Sequence, residues 1–330
     1  MIAHSMETYL HKQIHELLTK AHKPVFISDE RIDGDSLGAS LALVDFMKWR
    51  GVKVPVYVSE AIPDKYRFLP GVEACTNDVS IFIDPDIDLV VSFDCSDGSY
   101  IDGLVSRIPS RPKLVNIDHH ATNTRYGDVN QVIADAPATA EVIYRFFRAN
   151  HILPSKEAAT CLLTGICFDT TAFSNSATDE RAFRAASDLL LSGARAVDVI
   201  RTMFMNRSLS ALRVWGAALE RLHIHEGAGF VSTCLTRADL EENEVTDEEI
   251  DGLSNFLNLV VDAETLFVLR ETSVGHVKVS MRSHEKDVSK LAKIFGGGGH
   301  KKAAGFTIEN ARLQPDEKGF WKVEKGNATA

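Results

Sequence analysis

Lys113-Leu114-Val115-Asn116-Ile117 runs directly into Asp118-His119-His120, three side chains that bind metals or move protons. An apolar run of this length reads as a short buried strand, and in open α/β sheets ligands collect just beyond the carboxyl ends of strands. The triplet therefore falls where chemistry is usually done. The arrangement recurs twice upstream. Pro24-Val25-Phe26-Ile27-Ser28 leads into Asp29, Asp33 and Asp35, and Leu89-Val90-Val91-Ser92-Phe93 leads into Asp94 and Asp97.

Working outward from these ends, strand-like runs at 24–28, 54–59, 88–93 and 113–117 alternate with helix-like runs at 36–50, 138–149, 157–168 and 179–192. This alternation predicts a mostly parallel sheet covered by helices on both faces. Residues 196–222 read as a helical linker. Beyond it the pattern turns to strands (229–232, 265–269, 276–280), with helices expected at 247–260, after the capping-box pattern Thr246-Asp247-Glu248-Glu249, and at 287–295. The expected fold class is α/β, with a helix-covered parallel sheet at 1–195, the linker, a smaller α+β domain at 223–315 and a dispensable tail at 316–330.

The 330 residues, 45% of them hydrophobic, suit a globular protein of two domains. No apolar stretch approaches the roughly 20 residues that cross a bilayer. The N-terminal region reads as an amphipathic helix rather than a signal peptide, so no membrane and a cytoplasmic location are expected. Five cysteines without a CxxC pair predict buried free thiols in place of disulfides or structural zinc. A net charge of −10 argues against coating duplex DNA. It leaves room for a small phosphate-bearing ligand, because residues 278–302 hold seven Lys or Arg against two acids, whereas residues 239–251 hold eight acids.

Asp29, Asp33 and Asp35 lie within seven residues of one loop. Carboxylates packed so closely repel one another unless a cation neutralises them. Alone, Asp33-Gly34-Asp35 would be a solvated turn. With Asp94, the Asp-His-His triplet and Asp169 at other element ends, a divalent metal is the better reading. Carboxylate and imidazole donors without thiolates suit manganese, magnesium or a similar ion. Six candidate donors (Asp29, Asp33, Asp35, Asp94, His119, Asp169) exceed what one ion takes, and two ions about 3.5–4 Å apart form a clamp for displacement at phosphorus. Phosphoester hydrolysis is the implied reaction. Downstream, Gly296-Gly297-Gly298-Gly299 precedes His300-Lys301-Lys302. Glycines let backbone N–H groups approach a phosphate closely. Lys301 and Lys302 read equally well as phosphate contacts or as surface charge.

Five ordered motifs resemble the DHH phosphoesterases, and within them the nanoRNase type with a DHH-associated C-terminal domain. These are Ile32-Asp33-Gly34-Asp35-Ser36-Leu37-Gly38; Phe93-Asp94-Cys95-Ser96-Asp97; Asp118-His119-His120-Ala121-Thr122-Asn123; Thr164-Gly165-Ile166-Cys167-Phe168-Asp169-Thr170; and Gly296–Phe306, preceded by Ser280-Met281-Arg282-Ser283. The resemblance implies two Mn²⁺ ions, with Mg²⁺ or Co²⁺ as substitutes. Position 29, Asp33 and Asp94 would hold one; Asp35, Asp94, His119 and Asp169 would hold the other. It implies that His120 faces the scissile phosphate and that Asp118 fixes a histidine tautomer. Asn123, Arg282, Ser283, Gly297, Gly298, Gly299 and His300 would bind substrate, with the active site in the cleft between the domains. Two departures stand out: Asp29 where the family has histidine, and Thr171 where it usually has glycine.

The expected function is hydrolysis of very short oligoribonucleotides, including linear dinucleotides such as pApA, to mononucleotides, with 3′-phosphoadenosine 5′-phosphate as a further substrate. The rivals are a cyclic-dinucleotide phosphodiesterase and a nucleotide-binding regulator weakened by Asp29. A homodimer is compatible with the sequence.

Overall fold

Pro24–Ile27 and Leu89–Phe93 are apolar and buried along their whole length, as central strands of a parallel sheet must be. In the computed structural model, which describes residues 2–175, 178–204, 207–247, 249–317 and 320–325, they form β1 and β4 and pair side by side. The other strands are β2 (Val56–Tyr57), β3 (Cys75–Thr76), β5 (Lys113–Asp118) and β6 (Val129–Val132). All pairings are parallel, in the order β3-β2-β1-β4-β5-β6. The chain builds outward from β1 in one direction, then returns to β4 and builds in the other. That reversal opens a crevice at the carboxyl ends of β1 and β4.

Alternation along the strands feeds two cores. Phe26, Val91, Phe93, Val115 and Ile117 face one apolar cluster, whereas Val25, Ile27, Val90 and Leu114 face another. The first cluster is built with α1 (Ile2–Lys20), α2 (Gly34–Trp49), α4 (Thr139–Ala149), α5 (Lys156–Asp169), α6 (Glu180–Leu191) and α7 (Ala196–Phe204); the second includes Ile101 and Leu104 of α3 (Gly98–Val105). The helix-covered parallel sheet is thus as expected. β3, β6 and α3 were not anticipated: two of them are short or carry polar residues, and α3 is only eight residues long.

α2 is buried almost all round, so it runs through the core instead of over it. Its contact with α5 depends on two missing side chains. A Cβ on Gly38 would lie 2.4 Å from the Cys161 carbonyl oxygen, and one on Gly165 would lie 2.5 Å from Ala140 Cβ and 2.6 Å from Asp35 Oδ1.

Backbone contacts divide the chain into Met1–Asn206 and Arg207–Ala330. Within the stretch read as a linker, α7 buries Val199 in the first unit, and α8 (Leu209–Glu220) buries Ala211, Val214, Trp215 and Ala218 in the second. The second unit adds β7 (His223–His225), β8 (Phe230–Leu235), α9 (Arg237–Glu242), α10 (Leu253–Val260), β9 (Thr265–Glu271), β10 (Val277–Ser283), α11 (Val288–Ile294), β11 (Gly298–His300) and β12 (Ala303–Ile308). Its mixed sheet has the order β11-β12-β10-β9-β8-β7. A hairpin of β13 (Ala311–Pro315) and β14 (Trp321–Lys325) follows.

Two expectations are corrected here. The helix expected at 247–260 begins only at Leu253. Thr246 and Glu249 do exchange the reciprocal capping contacts, but Gly252, at φ +92°, interrupts the helix before it starts. Part of the supposed tail is ordered strand: β14 pairs with β13, and Trp321 and Val323 pack on a core. Residues 318–319 and 326–330 of that tail lie outside the described residues. All five cysteines are unpaired, and four are buried. No helix among the described residues is long and apolar enough to cross a membrane.

After α5 the chain turns through three consecutive non-glycine residues with positive φ: Thr171 (49°), Ala172 (52°) and Phe173 (65°). Thr171 occupies the position where the family pattern has glycine, and a β-branched residue there is strained. Thr171→Gly is expected to raise stability by roughly 0.5–1 kcal/mol, after the entropic cost of glycine is subtracted. In a thermal melt this would appear as a Tm rise of about 1–4 °C; an unchanged or lower Tm would show that the turn carries no such strain.

Candidate metal centre

The first unit gathers its acids and histidines at the β1–β4 crevice from four separate places in the chain. Asp33 stands before α2 as its N-cap, with Oδ1 accepting from the backbone N–H groups of Asp35 (3.0 Å) and Ser36 (2.9 Å). Asp35 sits in the first turn of α2. Asp94 follows β4 in the left-handed conformation (φ +64°), a strained setting for a non-glycine residue of the kind that collects at functional sites. Asp118, His119 and His120 leave β5, and Asp169 ends α5.

Donor atoms of Asp35, His119 and Asp169 all lie within 4.8 Å of one another, as do those of Asp94, His119 and His120. Asp33 is close enough that its charge acts on both Asp35 and Asp94. Asp29 joins neither group. It follows β1 beside Cys95, and burial raises its pKa, partly opposed by the backbone of Glu30 and Arg31, the Arg31 charge and the Cys95 thiol.

Electrostatics test whether these groups suit a cation. Burial first, then the charges of Asp169 and of Asp33, push the Asp35 carboxyl well above its ordinary range. Burial, together with Asp35, Asp33, Asp169 and Asp118, does the same to Asp94. Asp33 is pushed up to about 6 by burial and by Asp169. Burial alone would lower the His119 value, but the Asp169 and Asp35 carboxylates prevail and raise it to about 10. Each of these shifts reports the same shortage of positive charge.

The donor directions agree. Nδ1 of His119 lies 3.1 Å from the Ala136 carbonyl, which can only accept, so the proton sits on Nδ1 and Nε2 points inward. That Nε2 is 2.9 Å from Asp169 Oδ2, yet it is buried without a partner of hydrogen-bond geometry. With its pKa raised, the metal-free ring carries a proton on Nε2 toward Asp169, and a divalent cation shared by the two side chains would take that proton's place. The residues present fit a divalent metal.

Supporting groups hold this set in place. Asp35 caps α4 from outside: Oδ2 accepts from Thr139 N (2.6 Å) and Oδ1 from Ala140 N (2.8 Å). The Thr139 hydroxyl donates to Asp94 Oδ1 at 2.8 Å. Asp118 Oδ1 accepts from the backbone N–H groups of His119 and His120 and lies 2.8 Å from His120 Nδ1. Asn123 donates to Asp118 Oδ2 at 2.5 Å and to the Cys95 carbonyl at 2.9 Å, and it exchanges hydrogen bonds with Asn116. Asn123 therefore braces Asp118. Thr139, Ala140, Ala136 and Asn116 were not singled out in the sequence. Thr139 at the start of an amphipathic helix was the one available signal.

The remaining expected residues lie in the second unit. Arg282 on β10 is buried enough to lower its pKa; Nε donates to Asn255 Oδ1 (2.9 Å) and Nη1 to the Met281 carbonyl (2.9 Å). The Ser283 hydroxyl is buried and engaged by Glu264 O, Thr265 Oγ1 and the N–H groups of Glu285 and Lys286. Among the glycines, 297 and 299 meet their own chain, where a Cβ would lie 2.1 Å from the Gly305 oxygen and 2.6 Å from the Ala303 oxygen, respectively. Only Gly298 of the three faces open space. His300 belongs to β11, and its side chain lies outside the description.

With this geometry in view, comparison with known proteins is direct. The DHH family N-terminal domain matches residues 24–166, and the DHHA1 domain matches residues 227–319. A Thermus thermophilus protein named bifunctional oligoribonuclease and PAP phosphatase NrnA is 31% identical over 90% of this chain and 88% of its own length. The chain belongs to the DHH family, as its five motifs indicated. The fold matches that of an exopolyphosphatase-related protein from Bacteroides fragilis at a TM-score of 0.82, with 23% identity and 91% of each chain covered. RecJ from Thermus thermophilus, solved in complex with Mn²⁺, matches at a TM-score of 0.51, with 14% identity over 92% of this chain and 52% of RecJ.

The raised Asp33 value makes a pH test. Because the folded value, about 6, lies above the ordinary 3.8, ionising Asp33 destabilises the metal-free fold. The effect is absent below about pH 4, grows between about pH 4 and 6, and levels off above that. Asp33→Asn keeps the cap and removes the charge. In EDTA the variant should melt with the wild type near pH 4 and several degrees above it at pH 7, whereas saturating Mn²⁺ should reverse that order. Equal melting at pH 7 in EDTA would remove Asp33 from the repelling cluster.

Proposed function

We propose that this chain is a manganese-dependent phosphodiesterase that hydrolyses very short oligoribonucleotides to mononucleotides, with 3′-phosphoadenosine 5′-phosphate as a further substrate. One observation carries the reading: Asp35, Asp94, His119, His120 and Asp169 converge at the crevice, in a chain 31% identical over nine-tenths of its length to a protein named for both activities. Asp35, Asp94, His119 and Asp169 would hold one ion, and Asp33, Asp94 and Asp29 a second. Bound Mn²⁺ supplies Lewis acidity, offsetting charge at phosphate oxygens and lowering the pKa of water.

The chain's own groups supply the rest. Asp118 sits against Nδ1 of His120 and keeps a proton there. Nε2 is then the ring atom that holds the mobile proton and delivers it to the leaving oxygen as the ester bond breaks. Asn123 and two backbone N–H groups keep Asp118 ionised and stationary. In the second unit, Arg282 is held by Asn255 and binds a substrate phosphate, with the backbone at Gly298 accessible beside its hairpin. On this reading residues 1–195 are catalytic, 196–222 connect, and 223–315 bind substrate. A cytoplasmic setting supplies such substrates.

RNAs of graded length, assayed with Mn²⁺, Mg²⁺ and Co²⁺, test the proposal. Dinucleotides are expected to give the highest kcat/KM, Mn²⁺ the fastest turnover, and Asp94→Ala a loss beyond the ~10–100-fold typical of supporting groups. Turnover of cyclic di-adenylate alone would sink it. Asp29→His should tighten metal binding while changing turnover only modestly, because the donor set around Asp35 is complete without position 29. A jump from an inactive parent to an active variant would instead support the regulator.

A further inference from the structure

Tyr66 ends a short 3₁₀ turn, Asp64–Tyr66, in the connection between β2 and β3. Its side chain is only 2% exposed and belongs to the core of the first unit. The ring meets Phe168 edge-on, with centroids 6.3 Å apart. Phe168 in turn lies so close to Gly34 that a Cβ there would come within 2.9 Å of it. Tyr66 is therefore packed, through Phe168, against the end of α5 and the start of α2, the two places that carry Asp169 and Asp33.

The hydroxyl at the tip of this ring is buried and makes no hydrogen bond of good geometry among the described residues. A buried polar group left in that state is costly, and a phenylalanine would fill the same space without the cost. The groups that act on the oxygen point to a use for it. Burial first, then the charge of Asp33, raises the pKa of the phenol well above its ordinary range, with a smaller push from Asp169 and an opposing one from the Gly34 N–H. Tyr66 is thus a proton donor at neutral pH, set beside the start of α2, and Asp33 is the acid that acts on it most.

We infer that Tyr66 is a positioning residue of the metal centre: its hydroxyl donates to the Asp33 carboxylate and holds it turned toward a divalent cation. The hydrogen bonds from the backbone of Asp35 and Ser36 both fall on Oδ1 of Asp33, so they anchor one oxygen and leave the rotation about it to be set by another group. A donor on the Tyr66 side sets that rotation. Ligating carboxylates are commonly braced in this way by groups that do not touch the metal. The inference rests on the two-ion reading above and adds to it the residue that decides how tightly the ion at Asp33 is held. Tyr66 itself keeps its proton and contacts neither cation nor substrate.

The test is titration of the metal-free full chain with Mn²⁺, followed by calorimetry, with no substrate present. The wild type is expected to bind in two steps. Tyr66→Phe, which keeps the ring, should leave the first step within about 2-fold and weaken the second at least about 10-fold. Asp33→Asn should weaken the same step, and combining the two substitutions should do no further harm, because the charged acceptor is already gone. In EDTA Tyr66→Phe should melt at or above the wild type, which checks the fold and separates the effect from lost packing. Turnover of dinucleotides by the variant should fall at limiting Mn²⁺ and recover at saturating Mn²⁺, which a damaged core would not allow. A single step in the wild type, a second step unchanged in Tyr66→Phe, or additive losses in the double variant overturns the inference even if short RNAs are hydrolysed. A Tyr66-dependent second step in a protein that hydrolyses no RNA would uphold it and reject the proposed function.

Discussion

Mutual repulsion among Asp33, Asp35, Asp94 and Asp169 is the constraint around which the first unit is arranged. Folding brings these carboxylates out of water and beside one another, and burial and neighbouring charge both oppose ionisation there. A metal-free fold can answer only by keeping protons on the acids and on His119. A divalent cation answers all of these shifts at once. The site is therefore not a neutral surface that happens to bind metal, but a local instability that metal relieves.

Such an instability persists only in a scaffold that cannot relax around it, and two features supply the rigidity. The sheet reversal between β1 and β4 brings distant loops to one edge, and Asp94 is held there in a left-handed conformation by the strand ladder, its N–H donating to the Ile117 carbonyl at 3.0 Å. Asp35 does double duty: it belongs to the donor set and it caps α4, a helix that starts over one hundred residues later in the chain. Gly165 lets α5 approach that carboxylate without a Cβ in the way. Loss of either would disturb packing and metal binding together, whereas among the described residues Asp94 is tied to the helices through the Thr139 hydroxyl.

How far the sequence was readable follows from which interactions are local. Strands β1, β4 and β5 announce themselves because burial on both faces demands unbroken apolar runs. The acids at their ends stand out because charge so near a buried strand needs a reason. What stayed hidden depends on partners far away in the chain. Thr139 and Ala140 matter only because Asp35 reaches them, and Asn123 looks like a substrate contact until Asp118 is seen beside it. The glycine run misleads in a related way: its composition suggests room for a ligand, but Gly297 and Gly299 make room for the hairpin's own backbone. The acidic stretch before α10 carried a sound capping signal, which a single left-handed glycine overrode.

The substitution at position 29 takes its meaning from this charge balance. An added carboxylate would be expected to sharpen the repulsion, and Asp29 does raise the pKa of Asp33. Its own surroundings temper that effect. Burial pushes its own carboxyl above the ordinary range, and the backbone of Glu30 and Arg31, the Arg31 charge and the Cys95 thiol only partly oppose that push. A carboxylate whose ionisation burial opposes is a weaker donor to a metal than an imidazole whose second nitrogen is braced by a carbonyl, as His119 is by Ala136. The two halves of the centre are therefore unequal. The set around Asp35, His119 and Asp169 is assembled and short of positive charge, while Asp33 shares one oxygen with a helix cap and Asp29 stands outside both groups. Of the two ion positions proposed, the one around Asp35, His119 and Asp169 should fill first, and the weaker one would set the chain's sensitivity to metal supply.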